Sequence, residues 1–315
     1  MCGIVGTAQA AAHGFRGRED NHIAELQTEN IKKTAVVTGA SSGIGFAVLK
    51  ALAAENMRVI GVGRSPESCE KAKAALLSMY PKANAAWFCA DLSVQKDVNA
   101  LADGILAHLE ESGGVLDVLI NNAGGVRNGY TETPDGYELQ FALNHLAGFL
   151  LTHRLWRALK KAGGRVIITG SNSHKHARMH WRDVMYKKHY NCLWAYKQSK
   201  LCNLLFAREI GRRFAGSGVR AYVVDPGLVN TDIGNKQTQG VVTAFWNVRR
   251  RYGTAPEVAA QTFAWLSSTE PAPEGLYFYN SSVKAYSPHA DNVQDAKRLY
   301  ELSEKLCGIR FGEEI

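Results

Sequence analysis

No stretch of the chain approaches the roughly 18 consecutive apolar residues that a membrane-spanning helix needs, so no spanning helix is expected. Residues 1 to 30 also lack the charged-then-apolar order of a secretory signal. The six cysteines, Cys2, Cys69, Cys89, Cys192, Cys202 and Cys307, show no CxxC spacing. They read as reduced, cytosolic thiols rather than a disulfide framework. Long basic runs are missing too: the formal charge is +8, but the lysines and arginines are dispersed. That pattern argues against a nucleic-acid partner and for a solvated basic surface. Peripheral contact with a membrane stays open. No internal repeat or low-complexity tract interrupts the chain.

What is present fits one large α/β core, since 46% of the 315 residues are hydrophobic. The first 30 residues show little periodicity and are expected to be a poorly ordered lead-in to a single domain over 31 to 315. Their opening, Met1-Cys2-Gly3-Ile4-Val5-Gly6, resembles the start of class II glutamine amidotransferases. A strand beginning by Thr34 leaves no room for that domain. From Lys33, β-rich runs at 34 to 38, 58 to 62, 86 to 89, 115 to 120, 165 to 169 and 219 to 224 alternate with helical stretches at 43 to 55, 66 to 79 and 94 to 111. The expected fold is a doubly wound, Rossmann-like parallel sheet of about seven strands with helices on both faces. A further helix over 134 to 161 should start at Pro134 and end near Gly163-Gly164. A last strand over 275 to 279 and a helix over 291 to 306 complete the sheet and its cover.

The first strand runs into Thr38-Gly39-Ala40-Ser41-Ser42-Gly43-Ile44-Gly45, which opens a helix. Glycines there let the backbone approach a pyrophosphate, and the helix N-terminus supplies donors and positive potential. Gly39, Ser41, Ser42, Gly43, Ile44 and Gly45 are therefore candidate cofactor contacts. The second strand ends in Val62-Gly63-Arg64-Ser65 without the carboxylate that would bind the ribose of NAD. Gly63 leaves space and Arg64 offers a planar charged fork, which favours NADP, with NADPH preferred over NADH. Asp91-Leu92 is placed to bracket an adenine, and Asn121-Asn122-Ala123-Gly124 brings amides and small residues to the same crevice; as bare turn chemistry either could lack a ligand. Further on, Tyr196 and Lys200 stand one helical turn apart.

With these segments and Asp225-Pro226-Gly227 in order, the chain from about 33 to 307 resembles the classical short-chain dehydrogenase/reductases. Residues 141 to 152, the long span from Ser171 to Tyr196, and Asp225-Pro226-Gly227-Leu228-Val229-Asn230-Thr231 look most like the retinol dehydrogenase and WW-domain oxidoreductase branch. The resemblance implies a catalytic tetrad of Asn144, Ser171, Tyr196 and Lys200. Ser171 would bond the substrate oxygen and Tyr196 would exchange its proton. Lys200 would lower the pKa of the phenol and hold the nicotinamide ribose, and Asn144 would anchor a relay water. Pro226, Gly227, Val229 and Thr231 would line the nicotinamide end, with Thr231 on the carboxamide. Asp225 is not expected to touch the tetrad.

Ser173 is a neighbouring alternative to Ser171. His174, His176 and His180 read as a polar loop rather than a metal site, because no Cys or carboxylate completes a ligand set. Residues 243 to 252, with Phe245, Trp246, Arg249, Arg250 and Arg251, read as a lid over an apolar substrate, with a membrane-surface helix as the alternative. The substrate loops are set at 172 to 195 and 230 to 253. The implied activity is interconversion of an alcohol with its ketone or aldehyde on a lipophilic molecule such as a retinoid or steroid, by a cytoplasmic homodimer or homotetramer. Two rivals remain: a protochlorophyllide reductase-like enzyme, suggested by Tyr196 to Asn203, and a non-catalytic NADP-binding sensor or scaffold.

Overall fold

The structure is a computed structural model, and it describes residues 33–230 and 253–311. The lead-in over 1 to 30, Thr231 and the segment 243 to 252 lie outside the described residues. Residues Thr34–Ile315 form one compact unit.

Eight strands make one sheet in the order β3-β2-β1-β4-β5-β6-β7-β8. They are β1 (Thr34–Thr38), β2 (Arg58–Gly63), β3 (Ala85–Cys89), β4 (Val118–Asn121), β5 (Arg165–Thr169), β6 (Arg220–Val224), β7 (Tyr277–Tyr279) and β8 (Ser282–Val283). All pairings are parallel except β7 with β8. The order turns back between β1 and β4, and in open α/β sheets that reversal leaves a crevice above the carboxyl ends of the strands.

Strands β1, β4 and β5 are buried along their whole length, which is why their sequences are nearly all apolar. Alternate residues face opposite layers. Val36, Ile60, Leu119, Val166 and Val223 join one core with helix α3 (Gln95–Glu110) and helix α7 (Cys192–Arg213). Ala35, Val37, Val59, Ile120 and Ile167 join the other with α1 (Gly43–Ala54) and α8 (Pro256–Ser268). Helix α2 (Pro66–Met79) covers the β2–β3 edge and α9 (Val293–Cys307) packs on α7.

The expected fold stands, with local corrections. The helix placed at Pro134 begins instead at Leu139, where α4 (Leu139–Phe141) is capped by the Glu138 carboxylate accepting from Phe141 N at 2.7 Å. Pro134 lies in a turn closed by Gly136 N donating to Thr133 O at 2.9 Å. The chain continues through a π-turn at Ala142–Leu146 into α5 (Ala147–Arg154) and α6 (Trp156–Ala162). Gly163 ends it in a left-handed conformation, as its position suggests. β8 is a two-residue edge strand paired antiparallel with β7, too brief to carry a periodic signal. Helix α7 starts at Cys192, capped by Asn191, so the loop expected over 172 to 195 ends at 191.

Candidate active site and cofactor crevice

Thr38, the last residue of β1, ties three strand ends together. Its hydroxyl donates to Ile120 O at 3.2 Å and accepts from Asn122 N at 2.9 Å and Ala123 N at 3.0 Å. Asn122 completes the knot, donating through Nδ2 to Thr38 O at 2.9 Å while its Oδ1 accepts from Thr169 Oγ1 at 3.2 Å. The sequence reading passed over Thr38, although a hydroxyl ending an apolar strand was a visible signal.

The glycine turn fits against this knot. Gly39 has φ +67° and Gly43 φ +55°, conformations that side chains resist. A Cβ on Gly45 would lie 2.2 Å from Gly39 O and 2.6 Å from Asn122 Nδ2. Helix α1 starts here with Ser42 at its N-cap, Ile44 buried beneath, and no acidic residue in its first turn. Its N-terminal donors therefore keep their positive potential. Ser41 lies beside Gly63, whose Cβ would sit 3.2 Å from Ser41 Cβ, and Arg64 is exposed just beyond. Asp91 has a structural job in its turn: its Oδ1 accepts from Ser93 N at 3.0 Å and Ser93 Oγ at 2.7 Å, while Leu92 is buried.

Arg127, which the sequence reading missed, is buried in the loop after Gly124. Its Nη1 donates to Val126 O at 3.1 Å, and its Nε has no hydrogen-bond partner among the described residues. Burial, then the neighbouring Arg64 guanidinium, pushes its pKa down, with Asp91 opposing. A buried arginine that feels the charge of a second arginine suits an anion.

The catalytic candidates converge at the ends of β4 and β5. Lys200 is buried on α7 and donates to Thr169 O at 2.9 Å, with its Nζ 5.7 Å from the centre of the half-buried Tyr196 ring. Burial pulls the Lys200 pKa down to about 8, and the Asp225 carboxylate partly opposes that. Asp225, not expected to touch the tetrad, acts on Lys200 through its charge. It is buried, pairs with Lys284 at 2.7 Å and accepts from Gly227 N at 3.0 Å.

Asn144 sits in the π-turn, where both its amide hydrogens are used: Nδ2 donates to Gly125 O at 3.0 Å and to Ser199 Oγ at 2.9 Å. Its Oδ1 accepts from Gly125 N at 2.8 Å, and a Cβ on Gly124 would come within 2.7 Å of that oxygen. Gly124 is therefore needed for the loop to pass so close. Ser171 follows β5 and its hydroxyl donates to Ser173 Oγ at 3.0 Å, so the two serines share one hydrogen-bond pair.

His174 is fully buried and positions Ser171 from behind. Its Nε2 accepts from Ser287 N at 3.1 Å, which leaves Nδ1 to donate to Ser171 O at 2.7 Å. Among the described residues no group of three or more His, Cys, Asp or Glu side chains is placed to hold a metal ion. Pro226, Gly227 and Val229 follow β6, where Val229 bridges Thr254, and Gly227 takes φ +72°.

The short chain dehydrogenase family model matches residues 33–241. The chain belongs to that family. Bovine retinol dehydrogenase 12 is 35% identical over 283 residues, covering 89% of this chain and 87% of the relative. Among solved structures, an uncharacterized protein from Mycobacterium paratuberculosis aligns at TM-score 0.67 and 28% identity, covering 89% of this chain and 94% of that one. An alcohol dehydrogenase from Thermococcus sibiricus, complexed with 5-hydroxy-NADP, aligns at TM-score 0.60 and 20% identity, covering 78% and 95%, and shares the fold. As a short chain dehydrogenase the protein is an oxidoreductase working between alcohol and carbonyl groups with a nicotinamide cofactor. Among the described residues no helix is long and apolar enough to cross a membrane.

Proposed function

We propose that this protein reduces a lipophilic ketone or aldehyde with NADPH, using Tyr196 as proton donor. The observation that carries the reading is the buried Lys200, fixed to Thr169 O and set 5.7 Å from the centre of the half-buried Tyr196 ring. The cradle suits a dinucleotide: Gly39, Gly43 and Gly45 admit close backbone approach, and the buried Arg127 Nε lacks a protein partner among the described residues. Gly39, Ser41, Ser42, Gly43, Ile44 and Gly45 would hold the pyrophosphate. Arg64 and Arg127 would meet the adenosine phosphate, with Leu92 against the adenine. Asn122, Ala123, Gly124, Pro226, Gly227, Val229 and Thr231 would line the rest. The bound cofactor supplies the hydride.

The chain's own residues handle the proton and the geometry. The Ser171 hydroxyl would turn from its bond to Ser173 Oγ and donate to a substrate oxygen. Tyr196 passes its proton to the same oxygen, and the Lys200 ammonium stabilises the phenolate left behind, a task a phenol of ordinary pKa near 10 could not do alone at neutral pH. Asn144 positions the loop over this lysine through Gly125 and Ser199. Support for an apolar substrate comes from Leu193 and Trp194, 37% and 47% exposed just ahead of Tyr196, and from the named activity of the retinol dehydrogenase relatives. The reading includes a cytoplasmic homodimer or homotetramer, with the segment 243 to 252 as a substrate lid and residues 1 to 30 as a lead-in.

The test is NADPH and NADH consumption against a panel of retinoids, steroids, aldehydes and ketones. NADPH should be strongly preferred. Arg64→Ala should weaken NADPH binding about 10- to 100-fold, the worth of a charge-assisted hydrogen bond, and leave NADH binding unchanged. Tight NADPH binding without turnover of any substrate would return the sensor or scaffold reading.

A further inference from the structure

Two cysteines that the mechanism does not use meet beside the cofactor crevice. Cys69 lies early in α2 and Cys89 is the last residue of β3, and their Sγ atoms are 3.1 Å apart. Cys69 is buried and Cys89 is exposed. The Cys69 sulfur also lies against the crevice wall: a Cβ on Gly63 would sit 2.4 Å from it and 3.2 Å from Ser41 Cβ. Arg64 follows Gly63 directly, and Asp91-Leu92 follows Cys89 by two residues. Both flanks of the adenosine end are thus joined to this sulfur pair.

We propose that Cys69 and Cys89 are a peroxide-sensitive dithiol whose closure to a disulfide weakens binding of the 2′-phosphorylated cofactor. The exposed Cys89 reacts first: its sulfur takes the terminal oxygen of a hydroperoxide, giving a sulfenic acid and releasing an alcohol, or water from hydrogen peroxide. Cys69 then attacks the sulfenyl sulfur, the S–S bond forms and water leaves. Two thiols lose two hydrogens and one hydroperoxide is reduced. Burial and the neighbouring Cys89 push the Cys69 thiol up to about 12, so Cys69 is not the sulfur that meets the peroxide, and its part in the second step rests on its 3.1 Å approach to Cys89.

Closing a 3.1 Å separation to a bond of about 2.05 Å needs a movement of about 1 Å. Cys69 is packed on Gly63, so the contraction draws either α2 or the end of β3 and shifts the Arg64 or Asp91 wall. In a reducing compartment the pair would be open except under oxidative load.

The effect on affinity rests on the NADP reading, whereas the cross-link does not. Purified protein is treated with graded hydrogen peroxide, alkylated, digested and mapped by mass spectrometry, and NADPH binding is titrated calorimetrically before and after. A peptide link joining Cys69 to Cys89 is expected, with NADPH binding weakened about fivefold and restored by dithiothreitol. Cys89→Ser should bind NADPH normally and resist peroxide. Cys69→Ser should leave Cys89 to oxidise onward to sulfinic acid. Sulfinic acid at Cys89 of the wild type without any link overturns the proposal, as does a link that leaves NADPH affinity unchanged. Unoxidised protein that fails to bind NADPH strikes the cofactor reading, and the peptide link still reports on the dithiol.

Discussion

The knot around Asn122 and the connection from Asn172 to Asn191 are held in opposite ways. In the knot, Thr38 and Asn122 bond backbone groups and side chains from β1, the β4 end and β5, so the fold itself fixes every partner. The connection is tied instead by separate side-chain bonds, each to a different element: Asp183 accepts from Lys187 N and Lys188 N within its own exposed turn, Gln198 Oε1 accepts from His180 N, Trp181 Nε1 donates to Asp295 at 2.7 Å and Tyr190 Oη donates to Glu138 at 2.8 Å. A site that must place a cofactor and move a proton is built on the first kind of support. A site that selects among substrates is built on the second. Chemistry should therefore be sensitive to single atoms in the first region and tolerant of change in the second.

The largest expected effect removes one oxygen. Tyr196→Phe should lower turnover about 10²- to 10⁴-fold, the usual worth of a general acid, while NADPH affinity and thermal stability stay put. Wild-type turnover in steady-state assays on a confirmed substrate would end the assignment.

Next comes the knot itself. Gly45→Ala brings a Cβ within 2.2 Å of Gly39 O and 2.6 Å of Asn122 Nδ2, where the first contact is rigid backbone. The cost should be about 1–3 kcal/mol of stability, read as a lower denaturation midpoint, together with loss of NADPH binding. A variant of unchanged stability would show that the turn is looser than the contrast requires.

A smaller effect separates Asp225 from the groups it tunes. Lys200 loses its charge as pH rises through about 8, below the ordinary lysine value near 10.4, and Asp225 opposes that shift. Between the two values the unfolded chain holds more protons than the folded one, so this group makes the protein more stable as pH rises through that window. Asp225→Asn removes the opposing charge, so the alkaline limb of kcat/KM should move to lower pH. Rate against pH for the two proteins decides it, and an unmoved limb would assign Asp225 to holding Gly227 and Lys284 alone.

The same contrast explains what could be read from the sequence. β1, β5, the start of α2 and the end of α6 were legible because buried parallel strands must be apolar, and because Pro66 and Gly163 mark helix ends. The start at Leu139 was not, since its cap is the Glu138 side chain and Pro134 offered a stronger local signal for a helix it does not begin. Tyr196, Lys200 and the glycine turn were visible as spaced residue types. Arg127, His174 and Asp225 were not, because each matters through a neighbour distant in sequence: Arg64, Ser287 and Lys200. Cys69 and Cys89 had no motif spacing, and only the pairing of β2 with β3 under α2 brings them together.

The smallest effect tests the tolerant region directly. Asp183 holds its turn through Oδ1 on Lys187 N at 2.9 Å and Oδ2 on Lys188 N at 3.0 Å. Burial pushes its pKa up, but these two N–H groups outweigh that and hold the carboxyl below its usual range. Its contribution is therefore present above the ordinary value near 3.9 and is lost as pH falls through the lower folded value. Because the bonds are exposed, Asp183→Ala should cost no more than about 1 kcal/mol. The turn would loosen while the knot stays intact, so KM for the carbonyl substrate should rise by at most about fivefold, with kcat and NADPH affinity unchanged. Kinetics with each substrate varied in turn separate the two: an equal loss of NADPH affinity would mean that the connection and the knot are one mechanical unit, and the contrast between them would fall.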